Sequence, residues 1–162
     1  MTTPNQVLAI AKKEADNGYK EGNNNDTKYG IWYGINHQPW CAIFVSWCFH
    51  TGGSQELHGI QSKLGFHNCN AGLAHFMARK QLVDTKDAQP GDIVFFNLDG
   101  NPNTTEHVGI VYVNQVEKHN LVTFEGNTSN KSGSANGDGV YKMNRAYGSK
   151  IAGIARPQWR TT

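Results

Sequence analysis

The sequence predicts an α+β fold in which N-terminal helices pack on an antiparallel sheet of about five to six strands. Apolar residues recur with a period close to 3.6 in the first half of the chain and with a period of two in the second half. Helices first and strands second are typical of α+β domains. The 18 glycines and the charged fraction of 17% indicate a loop-rich chain rather than a helical bundle. Because 162 residues suit one core and no linker or repeat interrupts them, we expect a single domain over residues 1–162.

Three helices are predicted from apolar spacing and from residues that begin or end helices. Thr3 suits the N-cap of the first helix, Gln6 completes a capping box, and Gly18 ends this helix. Asn70 suits the cap of the third helix. The segment between the first two helices is rich in Asn, Gly and Tyr, which favours an ordered loop. The predicted segments are a helix from Thr3 to Gly18, a loop over Glu21–Gln38, a helix over about Trp40–His50, and a helix over Asn70–Lys80 with Leu73, Phe76 and Met77 packed inward.

Five strands are predicted in the second half, after a Pro-Gly turn at residues 89–92. Polar loops separate them, and the longest of these loops is the Ser/Gly/Asn-rich segment Ser129–Asp138. The predicted strands cover Ile93–Phe96, His107–Val113, Leu121–Asn127, Val140–Met143 and Ile151–Ala155.

Cys41 stands just after a proline-containing turn, at the start of the second predicted helix. The first backbone N–H groups of a helix are unpaired, and together with the helix dipole they stabilise a thiolate. Phe44, Val45 and Cys48 continue the same face of this helix. Considered alone, a cysteine in an apolar helix is usually a small core residue, and Cys48 is the obvious example here.

Alternation along two strands places a histidine and a carboxylate where they can meet. His107 shares its face with Gly109, and Glu125 shares its face with Asn127. If the strands pair, we expect His107 to contact Glu125 or Asn127, with the Cys41 helix over that face and with Gly109 and Gly126 keeping the space above it open. A nucleophile, a base and an orienting acceptor in this order indicate a cysteine hydrolase.

The composition argues against several other classes of protein. The net charge of +2 is too small to indicate nucleic-acid binding, and no Lys/Arg run is present. Three cysteines without a C-x-x-C pair argue against a disulfide framework and against a zinc site. We find no signal peptide and no 18-residue apolar stretch, so we expect synthesis in a cytoplasm and no membrane contact.

Four motifs together resemble the CHAP domain, the cysteine, histidine-dependent amidohydrolase/peptidase domain of phage endolysins and bacterial wall hydrolases. The four motifs are Pro39–Trp47, Pro90–Phe96, His107–Val111 and Glu125–Asn127. The resemblance implies a papain-like or NlpC/P60-like fold and a peptidoglycan hydrolase. It implies that Cys41 is the nucleophile, His107 the general base, Glu125 the residue that orients His107, and Asn127 an additional polar support. Asp92 matches the family's strand-entry turn, where a structural role is expected.

Two features of the family pattern differ in this chain. The backbone N–H of Cys41 is the natural first oxyanion donor, but many CHAP domains have Gln just before the cysteine, where Trp40 stands here. Gln38 and Asn36 are the candidates for the second donor. Some relatives bind calcium upstream of the cysteine, and Asn24 and Asp26 are weak candidates for that role because the segment has only one carboxylate. The alternative is a loop held by Asn side chains without a metal, and we expect no cofactor.

Aromatic residues flank the cysteine and allow two interpretations. Tyr29, Trp32, Tyr33 and Trp40 suit a groove for a glycopeptide, and packing within the loop explains them about equally well. Core packing explains Trp47.

The resulting hypothesis is a monomeric hydrolase of bacterial peptidoglycan, acting as an endopeptidase or as an N-acetylmuramoyl-L-alanine amidase. We expect a phage endolysin that waits in the host cytoplasm. The sequence given has no wall-binding domain after Thr162, so either the natural protein is longer or this domain finds its substrate unaided. Two alternatives stay open: an intracellular cysteine peptidase or amidase on soluble peptides, and a wall-binding module without activity. No carboxylate pair suited to glycoside cleavage is evident.

Overall fold

The computed structural model describes residues 2–129 and 136–159 and confirms the α+β prediction. Within these residues it contains four α-helices and one six-stranded antiparallel sheet. The helices are α1 Pro4–Asp16, α2 Lys28–Tyr33, α3 Cys41–Thr51 and α4 Cys69–Ala78, and the strands are β1 Leu82–Val83, β2 Ile93–Phe96, β3 His107–Gln115, β4 Asn120–Thr128, β5 Gly139–Ala146 and β6 Ile151–Ala155. Most of the predicted Ser129–Asp138 loop, residues 130–135, lies outside the described residues.

The sheet has the strand order β1-β6-β2-β3-β4-β5, and every neighbouring pair is antiparallel. β6 returns to pair between β1 and β2, so the strands do not form a simple meander. The turn before β2 is held by Asp92, which accepts hydrogen bonds from the backbone of Gln89 at 2.8 Å and from Arg156 at 2.9 Å. This contact agrees with the structural role expected for Asp92.

The helix ends follow local capping chemistry, and the structure departs from the predictions at four points. Thr3 and Gln6 form the predicted capping box of α1. The segment predicted as loop contains the short helix α2, which Thr27 caps. Asn68 rather than Asn70 caps α4, by accepting from the backbone N–H of Ala71 at 3.0 Å. The other departures are Met77, which is 56% exposed rather than packed inward, and strand β1, which the sequence analysis did not identify.

Helix α3 packs on one face of β3 and β4. This face is opposite to that of His107 and Glu125, which the sequence pattern predicted α3 to cover. Its apolar residues join a core that includes Val108, Ile110 and Phe124. Val111 and its neighbours belong to a second apolar cluster with Phe96, and Phe96 stacks on His107. The prediction that α3 covers the face of His107 and Glu125 is therefore wrong. Cys41 instead meets His107 at the end of the sheet where β3 begins, with its Sγ 3.9 Å from the carbonyl oxygen of Glu106.

The two glycines of this region allow close contacts rather than open space. A Cβ on Gly126 would lie 2.7 Å from Phe44 and Trp40, so its absence lets α3 approach β4. A Cβ on Gly109 would lie 2.6 Å from Cγ of Glu125. The prediction that both glycines keep the space above the site free is wrong, because neighbouring side chains fill it. No helix in the described ranges has the length and the apolar character needed to cross a membrane.

Candidate active site

Cys41 is the first residue of α3 and borders a cleft of about 410 Å³. The N-cap residue is Trp40, whose side chain makes no capping hydrogen bond. The N–H groups of the first turn are therefore left without a side-chain acceptor, in the position where a thiolate or an oxyanion would use them. Cys41 as a whole is only 4% exposed, and it lines the cleft, so the cleft is the route to its thiol.

His107 and Glu125 form a hydrogen-bonded pair with no solvent exposure. Nε2 of His107 lies 2.6 Å from Oε1 of Glu125. The Glu125 side chain passes over Gly109 on its way to the imidazole, which explains why that strand position has no Cβ. Nδ1 of His107 has no partner at standard hydrogen-bond distance within the described part of the chain, so it is the ring nitrogen left to exchange a proton with Cys41.

Arg145 on β5 holds the other side of the Glu125 carboxylate. Its Nε donates to Oε2 of Glu125 at 2.8 Å, its Nη2 donates to Oε1, and its guanidinium lies over the ring of Phe96. Thr123 donates a further hydrogen bond to Oε2 at 2.5 Å. Both carboxylate oxygens are therefore satisfied, as a buried charge requires. Sequence reasoning missed Arg145 because the predicted strand ended at Met143; a strand longer by two residues would have placed it opposite Leu121, on the face of Glu125.

The charges of these groups support one another. Burial alone would raise the pKa of Glu125, but hydrogen bonds from Arg145 and His107, together with their charges, outweigh it and lower the pKa to about 2. Burial alone would lower the pKa of His107, but its interactions with Cys41 and Glu125 outweigh this effect and raise the pKa to about 9. Near neutral pH, the geometry therefore favours an ionised carboxylate beside a protonated imidazole.

The Cys41 thiol has a pKa well below its ordinary value. The hydrogen bond from Cys69 has the largest effect, burial opposes it, and the imidazole of His107 and the backbone N–H of Ala42 lower the pKa further. Cys48, in contrast, is fully buried, and burial raises the pKa of its thiol well above the ordinary value. The two cysteines of α3 thus have pKa values shifted in opposite directions.

Cys69 is the second residue that sequence reasoning missed. It is the first residue of α4, and its Sγ lies 3.7 Å from the Sγ of Cys41. The only sequence signal for Cys69 is its position directly after Asn68, the N-cap of α4, which puts its thiol at a helix start. Because the cap was predicted at Asn70, this signal was missed.

The cleft beside Cys41 has an apolar side and a polar side. Ile35, Pro39 and Ile43 form the apolar side, and the polar side includes Asn68 and Asn70. Gln38 also lines this cleft, whereas Asn36 does not. The Asn36 amide instead donates to Asp26 at 2.6 Å and accepts from the backbone of Thr27 at 3.0 Å. Of the two candidate oxyanion donors, only Gln38 therefore lines the cleft, whereas the Asn36 side chain is hydrogen-bonded within its own loop.

The four aromatic residues proposed as a substrate groove do not line this cleft. Tyr29 and Trp40 have no exposed surface, and their rings stack 5.4 Å apart in the core. Their assignment to a groove is wrong, because both side chains are buried in the core that also contains α3. Tyr33 is 9% exposed and bonds to Ser62, and Trp32 is half-buried against the ring of Tyr33.

The remaining predicted site residues, Asn127, Asn24 and Asp26, do not line the cleft. Asn127 is fully buried in β4 with a left-handed φ of 55°, and its carbonyl accepts from Gly137 at 2.9 Å. In the loop before α2, the carbonyl of Asn24 lies 2.9 Å from Nδ1 of His37, and Asp26 bonds to Asn36. The described residues contain no cluster of three or more His, Cys, Asp or Glu that could hold a metal ion. One carboxylate that already has an amide partner is a poor fit to calcium.

Comparison with known families agrees with this geometry. The family model of the CHAP domain matches residues 32–127, which is more than half of the chain and contains Cys41, His107 and Glu125. A search of curated proteins found no match. The helices followed by an antiparallel sheet are the papain-like arrangement expected for this family. The chain therefore belongs to the CHAP domain family.

Proposed function

We propose that this protein hydrolyses an amide bond of bacterial peptidoglycan, with Cys41 as nucleophile, His107 as general acid and base, and Glu125 as the residue that orients His107. CHAP domains are generally hydrolases of the amidase or peptidase type. The observation that carries the proposal is the buried 2.6 Å pair of His107 and Glu125 next to a thiol of lowered pKa. A binding module would have no use for this charged arrangement.

The chemistry follows from the positions of these groups. The Cys41 thiolate attacks the carbonyl carbon of the amide, and the negative charge that develops on its oxygen is met by the backbone N–H of Cys41 and by Gln38. His107 gives its proton to the leaving amine, which departs and leaves a thioester on Cys41. Water then attacks the thioester while His107 takes a proton from it, and this step returns the free thiolate. Glu125 holds the imidazole and stabilises its charged form throughout.

The cleft supports a peptide rather than a sugar as the reacting part of the substrate. Its apolar side suits a small aliphatic side chain, and the amides of Asn68 and Asn70 suit the backbone of an extended peptide. A peptide stem or cross-bridge offers both features, so the scissile bond is within the stem, in the cross-bridge, or between the stem and the lactyl group of the sugar. We further propose a monomer that lyses the host as a phage endolysin, without binding nucleic acid.

The test is the loss of turbidity of cell-wall suspensions from Gram-positive bacteria with several cross-bridge types. Wild type should clear at least one wall type. Mass spectrometry of the released fragments then identifies the new termini, and these show which bond was cleaved. Cys41→Ala and His107→Ala should each abolish clearing while keeping the fold, because the two groups act as a unit. Cys48→Ser is the matched control, which should keep the chemistry at some cost in stability.

The possible outcomes separate the alternatives. Clearing that survives either Cys41→Ala or His107→Ala would refute the mechanism. Failure to clear any wall, together with cleavage of soluble peptides, would favour the cysteine peptidase or amidase. Wall binding without any cleavage would favour the non-catalytic module.

A further inference from the structure

Cys69 lies beside the reactive thiol but has no step in the chemistry proposed above. Its sulfur is 3.7 Å from that of Cys41, although the two residues are 28 positions apart in the chain. Each is the first residue of a helix, so the contact arises where the N-termini of α3 and α4 meet. Both residues are free thiols and both line the cleft, so a small oxidant that enters the cleft reaches both.

We propose that Cys41 and Cys69 form a reversible disulfide when a peroxide enters the site, and that this bond switches off the nucleophile. The loss of activity rests on the proposed function, whereas the bond itself does not. A disulfide needs sulfur atoms about 2.05 Å apart, so the two must approach by about 1.7 Å. We infer that rotation of the two side chains about χ1 closes this distance.

The chemistry proceeds in two steps. The Cys41 thiolate attacks one oxygen of the peroxide and becomes a sulfenic acid, while the O–O bond breaks and hydroxide or an alkoxide leaves. The sulfur of Cys69 then attacks the sulfenic sulfur. The S–S bond forms as the S–O bond breaks, and the departing hydroxide takes the Cys69 proton and becomes water. The two thiols lose two electrons and the peroxide gains them.

The order of these steps follows from the electrostatics of the pair. Cys41 is oxidised first because its pKa is lowered well below the ordinary value. The pKa of Cys69 is raised, first by its hydrogen bond to Cys41, then by burial and by the charge of Cys41. Oxidation of Cys41 removes that thiolate, and with it both the hydrogen bond and the charge that hold the proton on Cys69. The first step therefore prepares Cys69 for the second.

The third cysteine provides an internal control. Cys48 lies seven residues after Cys41 on α3, with no exposed surface, in the apolar core. It does not line the cleft, so neither a peroxide nor the sulfenic acid is within its reach.

The test is peptide mapping of the full-length protein after exposure to hydrogen peroxide and then alkylation with N-ethylmaleimide under denaturing conditions. Alkylated thiols should fall from the three of the reduced protein to one. Trypsin should yield residues 29–63 joined to residues 64–79, since no Lys or Arg lies within either segment before its last residue. Because the first peptide carries both Cys41 and Cys48, the map is repeated on Cys48→Ala, in which the same joined peptides should form.

Activity supplies a second readout. Wall clearing by the oxidised protein should fall more than tenfold and should return with dithiothreitol. In Cys69→Ser, measured against its own untreated activity, the same treatment should convert Cys41 to a sulfinic acid that dithiothreitol does not restore. If wild type instead gives sulfinic Cys41 with Cys69 still alkylated, or if the joined peptides disappear in Cys48→Ala, the proposal is wrong. If untreated protein clears no walls, the proposed function fails, and the joined peptides still decide the disulfide.

Discussion

Replacing Glu125 by Gln tests whether the carboxylate sets the charge of the catalytic pair. The substitution removes the negative charge beside His107 and keeps nearly the same shape. In the wild type, the pKa of His107 is raised from 6.5 to about 9, although burial opposes this rise. Without the Glu125 charge, burial is opposed only by Cys41, so the pKa of His107 should fall.

The size of the effect follows from that rise. A shift of about 2.5 pKa units corresponds to about 3.4 kcal/mol, or to about 300-fold in the constant for proton transfer from Cys41 to His107. Cys41 and Glu125 share the effect, so the Gln variant should lower this constant by about 20-fold if the two contribute equally, and by up to about 300-fold if Glu125 dominates. We expect kcat/KM to fall by up to the same factor, since the thiolate is the reacting species.

Alkylation of Cys41 by iodoacetamide measures the thiolate without any substrate. On the peptide that carries Cys41, the wild-type rate should change little near neutral pH. The Glu125→Gln rate should be lower there and should climb as pH rises towards the range in which a free thiol ionises, about pH 8.5. Glu117→Gln, at an exposed position in the turn between β3 and β4, should behave as wild type. A folded Glu125→Gln protein that alkylates at the wild-type rate at pH 7 would refute the role given to this carboxylate.

Three further outcomes are expected. Gly109→Ala places a Cβ 2.6 Å from Cγ of Glu125. It should reduce the wall-clearing rate by about 10- to 100-fold, since the displacement of a group that acts in the reaction has an effect of about this size. Gly153→Ala is the control, because its Cβ would lie 2.9 Å from the end of a Leu side chain, which can move. The free energy of unfolding, measured with urea, should fall by up to about 3 kcal/mol as pH rises from 6.5 to about 9, because His107 loses its proton over this range. It should also fall by up to about 3 kcal/mol as pH falls from 4.5 to about 2, because Glu125 gains a proton. In Glu125→Gln, the decrease at acid pH should be smaller. Treatment with EDTA should leave wall clearing unchanged, because Asp26 is the single carboxylate of the candidate calcium loop; a loss that calcium restores would overturn this expectation.

The residues that the sequence placed correctly are those whose positions follow from local rules. A thiol after a proline turn begins a helix, and alternation within β3 and β4 puts His107 and Glu125 on one face. Arg145 and Cys69 depend instead on the pairing of β5 with β4 and on the meeting of two helix N-termini. Such contacts arise from tertiary packing, which no local pattern encodes.

The errors have the same origin. Tyr29 and Trp40 stand in a segment of loop composition, but their rings belong to the same buried core as α3 and β4. Burial of these rings is favourable enough to bring the segment into the core despite its polar residues, because each large ring removes much apolar surface from water. The face on which α3 packs is also explained by apolar surface. Val108 and Phe124 form a buried apolar core with the helix, whereas His107 and Glu125 are polar.

The buried charges of this site are better explained by catalysis than by stability. Taking a carboxylate and an imidazolium out of water is costly, and apolar residues of similar volume often serve a core as well or better. Here three elements converge on one carboxylate: β3 brings His107, β4 brings Glu125, and β5 brings Arg145, with Phe96 beneath. Arg145 offsets the cost of burying the Glu125 carboxylate, and Glu125 in turn keeps a proton on His107. Arg145 does not line the cleft, but through Glu125 it influences the charge of His107. The edge strand β5 is thus coupled through hydrogen bonds to His107, the imidazole that lowers the pKa of Cys41.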